Sequence, residues 1–141
     1  MAETRAMCRD APRHVVAALV ERGGRVLVAR RQPGDRRGGC WEFPGGTVEM
    51  GETLARAVVR ELAEELALEV DVDGEVLTLA HSYPDCRIVL HLLACRPRGQ
   101  PRPQGCAELR WVRWQDLPDL ELAGADRRAA VRLLRAAGRG R

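Results

Sequence analysis

The first third of the chain contains short apolar runs that are typical of β-strands. Two β-branched runs, residues 14–20 and 25–30, are separated by residues 21–24, whose paired glycines predict a hairpin turn because glycine tolerates positive φ. Residues 32–39 contain three glycines and a proline, which predicts a loop. A short strand is expected at residues 41–43, where the Pro-Gly-Gly sequence that follows should end it.

The apolar pattern changes from Thr53 to about residue 67. Leu54, Val58, Leu62 and Leu66 recur every four residues and predict one face of an amphipathic helix. Thr53 is a suitable N-cap, because its hydroxyl can accept a hydrogen bond from the first free N–H groups of the helix.

The rest of the chain alternates again between strand and helix patterns. Strands are predicted at residues 70–82, 87–96 and 108–114, a loop at 97–105 and a final helix at 126–137. The order of strands, helix, strands and helix predicts an α/β protein, with helices packed on a mixed central sheet.

The length of 141 residues suits one domain, which we expect at residues 13–137 between flexible segments at 1–12 and 138–141. No apolar window is long enough for a membrane span, and the N-terminus lacks the apolar core of a secretory signal. The five cysteines form no CxxC pair, which predicts a reducing cytoplasm rather than a disulfide framework or a zinc site.

All 23 basic residues are arginines, and they are interspersed with 20 acidic residues to give a net charge of +3. This balance favours a solvated surface of mixed charge, so no stable nucleic-acid partner and no membrane partner are expected.

An acidic cluster on the first helix is the strongest candidate for chemistry. Glu61, Glu64 and Glu65 stand at i, i+3 and i+4 and share one helix face, where like charges repel each other. Mg²⁺ or Mn²⁺ takes hard oxygen ligands and would reverse that repulsion. The alternative is a solvated acidic face, on which Arg60 pairs with Glu64.

The residues around this cluster resemble the Nudix box, G-x5-E-x7-R-E-U-x-E-E-x-G-U, in which U is a bulky aliphatic residue. The matching positions are Gly46, Glu52, Arg60, Glu61, Leu62, Glu64, Glu65 and Leu68. Ala67 departs from the pattern, because it stands where the box has the glycine that ends the helix. We therefore expect a less sharply defined helix end, with the acidic cluster unaffected.

Segments beyond the box are similar to the MutT branch of the Nudix hydrolases, which includes 8-oxo-dGTP and CTP pyrophosphohydrolases. They are residues 41–46, 49–53, 83–85, 109–111, 116–118 and 125–126. The resemblance implies the Nudix fold, an α/β/α sandwich around a mixed sheet. It also implies magnesium-dependent hydrolysis of a nucleoside triphosphate, in which water attacks the β-phosphorus and releases a nucleoside monophosphate and pyrophosphate.

Two alternatives to this function are hydrolysis of another nucleoside diphosphate derivative, such as ADP-ribose, and a catalytically silent nucleotide-binding module. A monomer or homodimer is expected.

The resemblance also implies roles for individual residues of the box. Glu61, Glu64 and Glu65 would ligate the cation together with the backbone carbonyl of Gly45. Two further box residues complete the expected catalytic set with Glu61 and Glu64. Glu52 would bind a metal through water or secure the loop, and Arg60 would orient the glutamates through its guanidinium fork.

Substrate-binding roles are implied for three residues outside the acidic cluster. Arg31 matches an arginine that grips phosphates, although it could be a surface arginine. Phe43 would support the base or fill the core, and the core is favoured. Asp126 aligns with an asparagine of 8-oxoguanine-specific members. An ionised carboxylate only accepts hydrogen bonds, so Asp126 would favour the amino group of a cytosine-type or 2-hydroxyadenine-type base. Alternatively, Asp126 caps the last helix.

Two further positions differ from the family pattern. Thr47 replaces a lysine that many relatives use near the phosphates. Gln104 stands where some members have a glutamate that acts as general base, and an amide cannot accept a proton at neutral pH. Glu108 or one of the box glutamates would then serve as the base.

Overall fold

The computed structural model describes residues 11–138. Residues 1–10 and 139–141, which include Cys8 and most of the two segments expected to be flexible, lie outside the described residues. No helix within the described range is long and apolar enough to cross a bilayer.

The described residues form seven strands, two α-helices and one short 3₁₀ helix. The strands are β1 (Arg13–Arg22), β2 (Arg25–Arg30), β3 (Trp41–Glu42), β4 (Gly45–Thr47), β5 (Glu69–Ser82), β6 (Arg87–Arg98) and β7 (Glu108–Arg113). The helices are α1 (Leu54–Leu66), the 3₁₀ helix Trp114–Asp119 and α2 (Gly124–Ala136).

The strands form a mixed sheet in the order β3-β2-β1-β6-β5, with β4 paired to β1 and β7 paired to β2. The central pair, β1 and β6, is parallel from Arg13 opposite Ile88 to Val20 opposite Cys95. The β1–β2, β2–β3, β2–β7, β1–β4 and β5–β6 pairs are antiparallel. The predicted mixed sheet is therefore confirmed.

The two faces of the sheet carry separate cores. Alternate residues of a strand point to opposite faces, so Val16 of β1 packs with Leu62 and Leu66 of α1, whereas Ala17 packs with Leu134 of α2. One helix on each face gives the α/β/α sandwich that the sequence predicted.

Strand β4 was not predicted, because Pro44, Gly45 and Gly46 suggested an interruption of the strand. A Cβ atom added to Gly45 would lie 1.9 Å from the carbonyl oxygen of Val16. The glycine is needed because β4 runs against β1 at a distance that leaves no room for a side chain.

Helix α1 begins as predicted and ends more sharply than expected. The Thr53 hydroxyl accepts a hydrogen bond from the Arg56 N–H, 3.1 Å away, so Thr53 is the N-cap. At the other end Ala67 adopts a left-handed conformation with φ of 50°, and its N–H donates to the Ala63 carbonyl. Leu68 closes the end by donating to Leu62. The expectation of a poorly defined terminus is wrong, because the backbone adopts the glycine-type closure without a glycine.

Helix α2 begins two residues before the predicted start. Its N-cap is Ala123, which forms no side-chain capping bond, and Asp126 lies inside the first turn. Asp126 is therefore not the N-cap of this helix, and the capping alternative is wrong.

Candidate active site

The box residues form a strand, a loop and a helix that fold back on each other. A Cβ atom at Gly46 would lie 2.3 Å from the carboxylate of Glu61. The first turns of α1 therefore approach β4 so closely that the Glu61 carboxylate rests on bare backbone. This contact explains physically why a glycine occupies the first position of the box pattern.

Arg60 is at the centre of the acidic cluster. Its Nε and Nη2 atoms donate to the two carboxylate oxygens of Glu52 at 2.7 and 2.9 Å. Its Nη1 atom donates to Glu61 at 2.8 Å and to Glu64 at 3.3 Å, and Nη2 also donates to the Thr47 carbonyl at 3.0 Å. One planar guanidinium thus joins the loop to the helix, which a lysine ammonium could not do with the same geometry.

The pKa values of Glu52 and Glu61 shift in opposite directions, although Arg60 lowers both. The hydrogen bonds from Arg60, and one from the Glu49 N–H, lower the pKa of Glu52 to about 2. Burial raises the pKa of Glu61, although Arg60 opposes that shift. Glu52 is therefore held as a carboxylate that secures the loop, whereas Glu61 lies in a partly desolvated position that favours the presence of additional positive charge.

Glu65 is partly buried beside other charged groups. Burial, and then the charges of Glu42 and Glu61, raise its pKa to about 8. Arg31 is also close enough to act on Glu65 in the opposite direction. The charge of Arg31 therefore acts on a glutamate of the box.

The donor set fits a hard divalent cation, although the side chains are not yet gathered around one. Within residues 11–138 no group of three histidine, cysteine or acidic side chains is arranged to hold a metal ion. Glu61 and Glu64 instead accept hydrogen bonds from Arg60. Glu64 is the exposed member of this group, with 58% of its side chain accessible to solvent. Burial, with a smaller contribution from neighbouring carboxylates, raises the pKa of Glu61 and Glu65, and a bound Mg²⁺ or Mn²⁺ would stabilise their charged forms.

Gln104 has a structural contact at the end of α1. Its side-chain amide donates to the Glu64 carbonyl at 2.8 Å, and its backbone N–H donates to the Glu65 carbonyl at 3.0 Å. Gln104 therefore satisfies carbonyl groups that the helix leaves free. Glu108, the other candidate outside the box, forms ion pairs with Arg30 and Arg110.

Arg31 lies in a cleft beside the box, where it is held by two acceptors. Its Nη1 atom donates to Glu42 at 3.0 Å and its Nε atom donates to the Arg36 carbonyl at 2.6 Å. The pKa of Glu42 is raised by burial, and the adjacent Arg31 acts against that rise. Arg31 is thus a positioned cation and not a freely moving surface arginine.

Phe43 and Asp126 form the floor of the same cleft. Phe43 is 1% exposed and lies in the core, as favoured from the sequence. Its backbone N–H donates to Asp126 at 3.0 Å. Burial and the charge of Glu42 raise the pKa of Asp126 to about 8. Burial therefore favours the neutral form of Asp126, whereas an ionised carboxylate was expected from the sequence.

The opposite wall of the cleft contains residues that the sequence did not assign to the site. The Arg37 guanidinium lies 3.8 Å from the centre of the Tyr83 ring, and its Nη1 donates to Asp85 at 3.1 Å. The Tyr83 hydroxyl accepts a hydrogen bond from the Ala125 N–H at 2.9 Å. Asp85 also accepts from Arg36, so the loop before β3 is tied to the β5–β6 turn. The Tyr-Pro-Asp sequence at residues 83–85 was the feature that could have indicated this wall of the cleft from the sequence.

An α/β/α sandwich with a carboxylate cluster beside a cleft lined by arginine is suited to phosphate chemistry. The NUDIX domain family model matches residues 10–134. The chain is 40% identical over 119 residues to a Mycobacterium tuberculosis protein named as a candidate 8-oxo-dGTP diphosphatase, with 80% of this chain and 82% of that protein covered. It is 44% identical over 80 residues to the CTP pyrophosphohydrolase of Escherichia coli, with 57% and 58% covered.

Solved structures show the same relationship. The MutT Nudix hydrolase of Burkholderia pseudomallei is 31% identical, with a TM-score of 0.77, and the match covers 86% of this chain and 97% of that one. The chain belongs to the Nudix family. It is a MutT-like Nudix hydrolase.

Proposed function

We propose that this chain is a magnesium-dependent pyrophosphohydrolase that converts nucleoside triphosphates, including oxidised or otherwise modified ones, to monophosphate and pyrophosphate. The observation that supports this most strongly is the single network in which Arg60 joins Glu52, Glu61 and Glu64. The charge of Arg31 also acts on Glu65. The names of the M. tuberculosis and E. coli relatives support a triphosphate as substrate.

In this proposal Glu61, Glu64 and Glu65 hold the cation, together with the Gly45 carbonyl. Mg²⁺ or Mn²⁺, when bound, would draw charge from the phosphate oxygens and activate the attacking water. Glu52 fixes Arg60, because its carboxylate remains ionised throughout the physiological pH range and accepts two of the arginine's hydrogen bonds.

The general base is one of the box glutamates. Gln104 is an amide engaged with the end of α1, and Glu108 is paired with two arginines. Glu64 is the most suitable, because it is the exposed member of the cluster and contacts Arg60 through one hydrogen bond at 3.3 Å. Arg31 then orients the phosphate chain from the cleft side, where Glu42 holds its guanidinium in place.

Asp126 contributes to base selection in this proposal. An ionised Asp126, which only accepts hydrogen bonds, would favour cytosine-type or 2-hydroxyadenine-type bases. A protonated carboxyl group can both donate and accept, as an asparagine amide can, so it can also pair with guanine-type edges. We therefore expect Asp126 to accept both classes near neutral pH, and to prefer amino-bearing bases as the pH rises and the proton is lost.

A substrate panel with product identification tests the function. We expect magnesium-dependent release of pyrophosphate from 8-oxo-dGTP, 5-methyl-dCTP or unmodified triphosphates, and little activity with ADP-ribose. Glu64→Gln should lower kcat by about 10²–10⁴-fold, the range for loss of a general base. Glu69→Gln, in an exposed glutamate at the start of β5, is the matched control. Equal activity in the Glu64 variant, or turnover of ADP-ribose alone, would contradict the proposal.

Base selection needs a separate measurement. The ratio of kcat/KM for 8-oxo-dGTP and 5-methyl-dCTP should move towards 5-methyl-dCTP between pH 6.5 and pH 9 in the native chain, a range of about one to two pH units around the pKa of Asp126. In Asp126→Asn the same ratio should stay constant. A ratio that changes equally in both proteins would assign base selection to another group.

A further inference from the structure

Two of the three histidines of the chain meet outside the box. His14 lies on β1 and His91 on β6, and the parallel register sets Val16 opposite His91. The two histidines are therefore diagonal neighbours on one face of the sheet. The Nδ1 atom of His14 is 3.0 Å from the Nε2 atom of His91.

The two rings meet edge to edge. Their centroids are 5.2 Å apart, their planes differ by 18°, and the contacting nitrogens lie between the two nearly coplanar rings. Each of the two nitrogens therefore points its N–H bond or its in-plane lone pair at the other ring.

Glu75 decides which nitrogen of His91 carries its proton. The Oε2 atom of Glu75 lies 2.6 Å from Nδ1 of His91, and the Thr78 hydroxyl donates to the same oxygen. The Glu75 carboxylate has only acceptor oxygens, and it accepts from both Thr78 and His91. His91 therefore donates through Nδ1, and in its neutral form the Nε2 lone pair faces His14.

A histidine whose second nitrogen donates to a carboxylate is the usual arrangement of a metal-binding imidazole, because the carboxylate fixes the tautomer and the ring orientation. We propose that Nδ1 of His14 and Nε2 of His91 together chelate a borderline transition metal ion, Zn²⁺, Cu²⁺ or Ni²⁺. When the ion binds, the proton on Nδ1 of His14 moves to Nε2 of the same ring, so both contacting nitrogens offer lone pairs to the ion. Glu75 orients His91, and water completes the coordination.

The chemistry of this site separates it from the box. Imidazole nitrogens select zinc, copper and nickel, whereas Mg²⁺ prefers the carboxylate oxygens of Glu61, Glu64 and Glu65. His14 is exposed, so its ring can pivot until both lone pairs converge on the ion.

An ion at this position would join the two central strands beside the box loop. The His14 carbonyl accepts a hydrogen bond from the Val48 N–H at 3.0 Å, where the chain leaves β4 towards Glu52. Binding should therefore stabilise the folded protein.

Imidazole NMR during a Zn²⁺ titration tests the proposal, with excess Mg²⁺ present to occupy the box. Only three imidazoles need assignment, and His81 on β5 provides the internal control. We expect the His14 and His91 nitrogens to shift while those of His81 do not. Zinc should raise the melting temperature of the native chain, and of His81→Gln, but not of His14→Asn.

Glu75→Gln should weaken zinc binding by about 10–100-fold, as loss of an outer carboxylate does in other metal sites. Cu²⁺ should give an electron paramagnetic resonance spectrum with coupling to two nitrogens in the native chain and to one at most in His14→Asn. Zinc affinity that is unchanged in His14→Asn, or imidazole resonances that do not move, would overturn the proposal. Because His14 is exposed, its replacement tests the site without removing a core residue.

Discussion

Glu52 in the box and Asp126 in the cleft beside it are both carboxylates, yet their surroundings shift their pKa values in opposite directions. At the box, hydrogen bonds from Arg60 lower the pKa of Glu52 to about 2. In the cleft, burial raises the pKa of Asp126 to about 8, and Glu65 at the border between the regions has the same value. The difference follows from position. Arg60 donates hydrogen bonds to Glu52, whereas Glu65 and Asp126 are removed from water without enough positive charge nearby to offset their burial.

The two regions are suited to different ligands. The box keeps its charge on a rigid guanidinium scaffold, which suits the binding of a cation and a polyphosphate. The cleft can hold a neutral carboxyl group, which suits the recognition of an uncharged base by hydrogen bonds. Substitutions in each region should therefore have distinct consequences.

The largest effect is expected from Gly46→Ala. The new Cβ atom would meet the Glu61 carboxylate at 2.3 Å, so Glu61 must leave its position over β4. We expect kcat/KM to fall by about 10²-fold or more, the scale expected when a catalytic group is misplaced by about 1 Å. The matched control is Gly34→Ala, where no atom lies within 4 Å of the added carbon. Steady-state kinetics with the preferred triphosphate would measure kcat/KM of both variants. Equal losses in the two would show that the contact between Gly46 and Glu61 is not the cause.

Arg60→Lys tests the scaffold of the box. A lysine keeps the charge but cannot join Glu52, Glu61 and Glu64 with one planar fork, so the loop and helix should lose their fixed arrangement. The concentration of Mg²⁺ needed for half-maximal activity should rise by about 10–100-fold. Arg56→Lys, an exposed site on the same helix, should leave it unchanged. If Arg60→Lys also retains the native magnesium requirement, a positive charge at position 60 is sufficient and the planar guanidinium is not needed.

Asp126→Asn tests the cleft through the pH dependence of stability. Between about pH 4 and pH 8 the unfolded chain loses the Asp126 proton while the folded chain retains it, so unfolding becomes more favourable as the pH rises. The stabilising contribution is complete below pH 4 and lost as the pH passes 8. Asparagine removes this dependence, so the variant should gain at least ~1 kcal/mol relative to the native chain by pH 8. Denaturant unfolding in the presence of a metal chelator would measure it. Parallel pH curves would show that Asp126 is already ionised in the folded state.

Ala67→Gly should give the smallest effect and a stabilising one. Ala67 has a φ of 50°, a conformation that glycine adopts without the steric penalty of a Cβ atom. We expect the free energy of unfolding to rise by about 0.5–1 kcal/mol with no change in kcat. Ala55→Gly, at an exposed position within α1, should instead destabilise the protein. A loss of stability in the Ala67 variant would show that the helix end is unstrained.

Local patterns in the sequence determined much of the fold. The four-residue spacing from Leu54 to Leu66 predicted α1, and Thr53 was identified correctly as its N-cap. The paired glycines at 23 and 24 predicted the β1–β2 turn, and β2 has the predicted bounds. These features depend on neighbours along the chain, so propensity and spacing are sufficient to specify them.

The roles expected for the box residues remain predictions, but their proximity along α1 followed from the same spacing. Glu61, Glu64 and Glu65 are fixed relative to each other by helical geometry. The link from Arg60 to Glu52 was also anticipated in part, because an arginine fork is suited to orienting carboxylates.

Only the tertiary structure decided the features that depend on distant segments. Strand β4 exists because Gly45 can lie against Val16 of β1, a contact that the Pro-Gly-Gly sequence itself does not reveal. Asp126 bonds to Phe43, 83 positions away, and its burial there changes the charge that its sequence suggested. Long-range packing sets desolvation, and desolvation sets the protonation of a carboxyl group, so neither can be determined from a local pattern of residues.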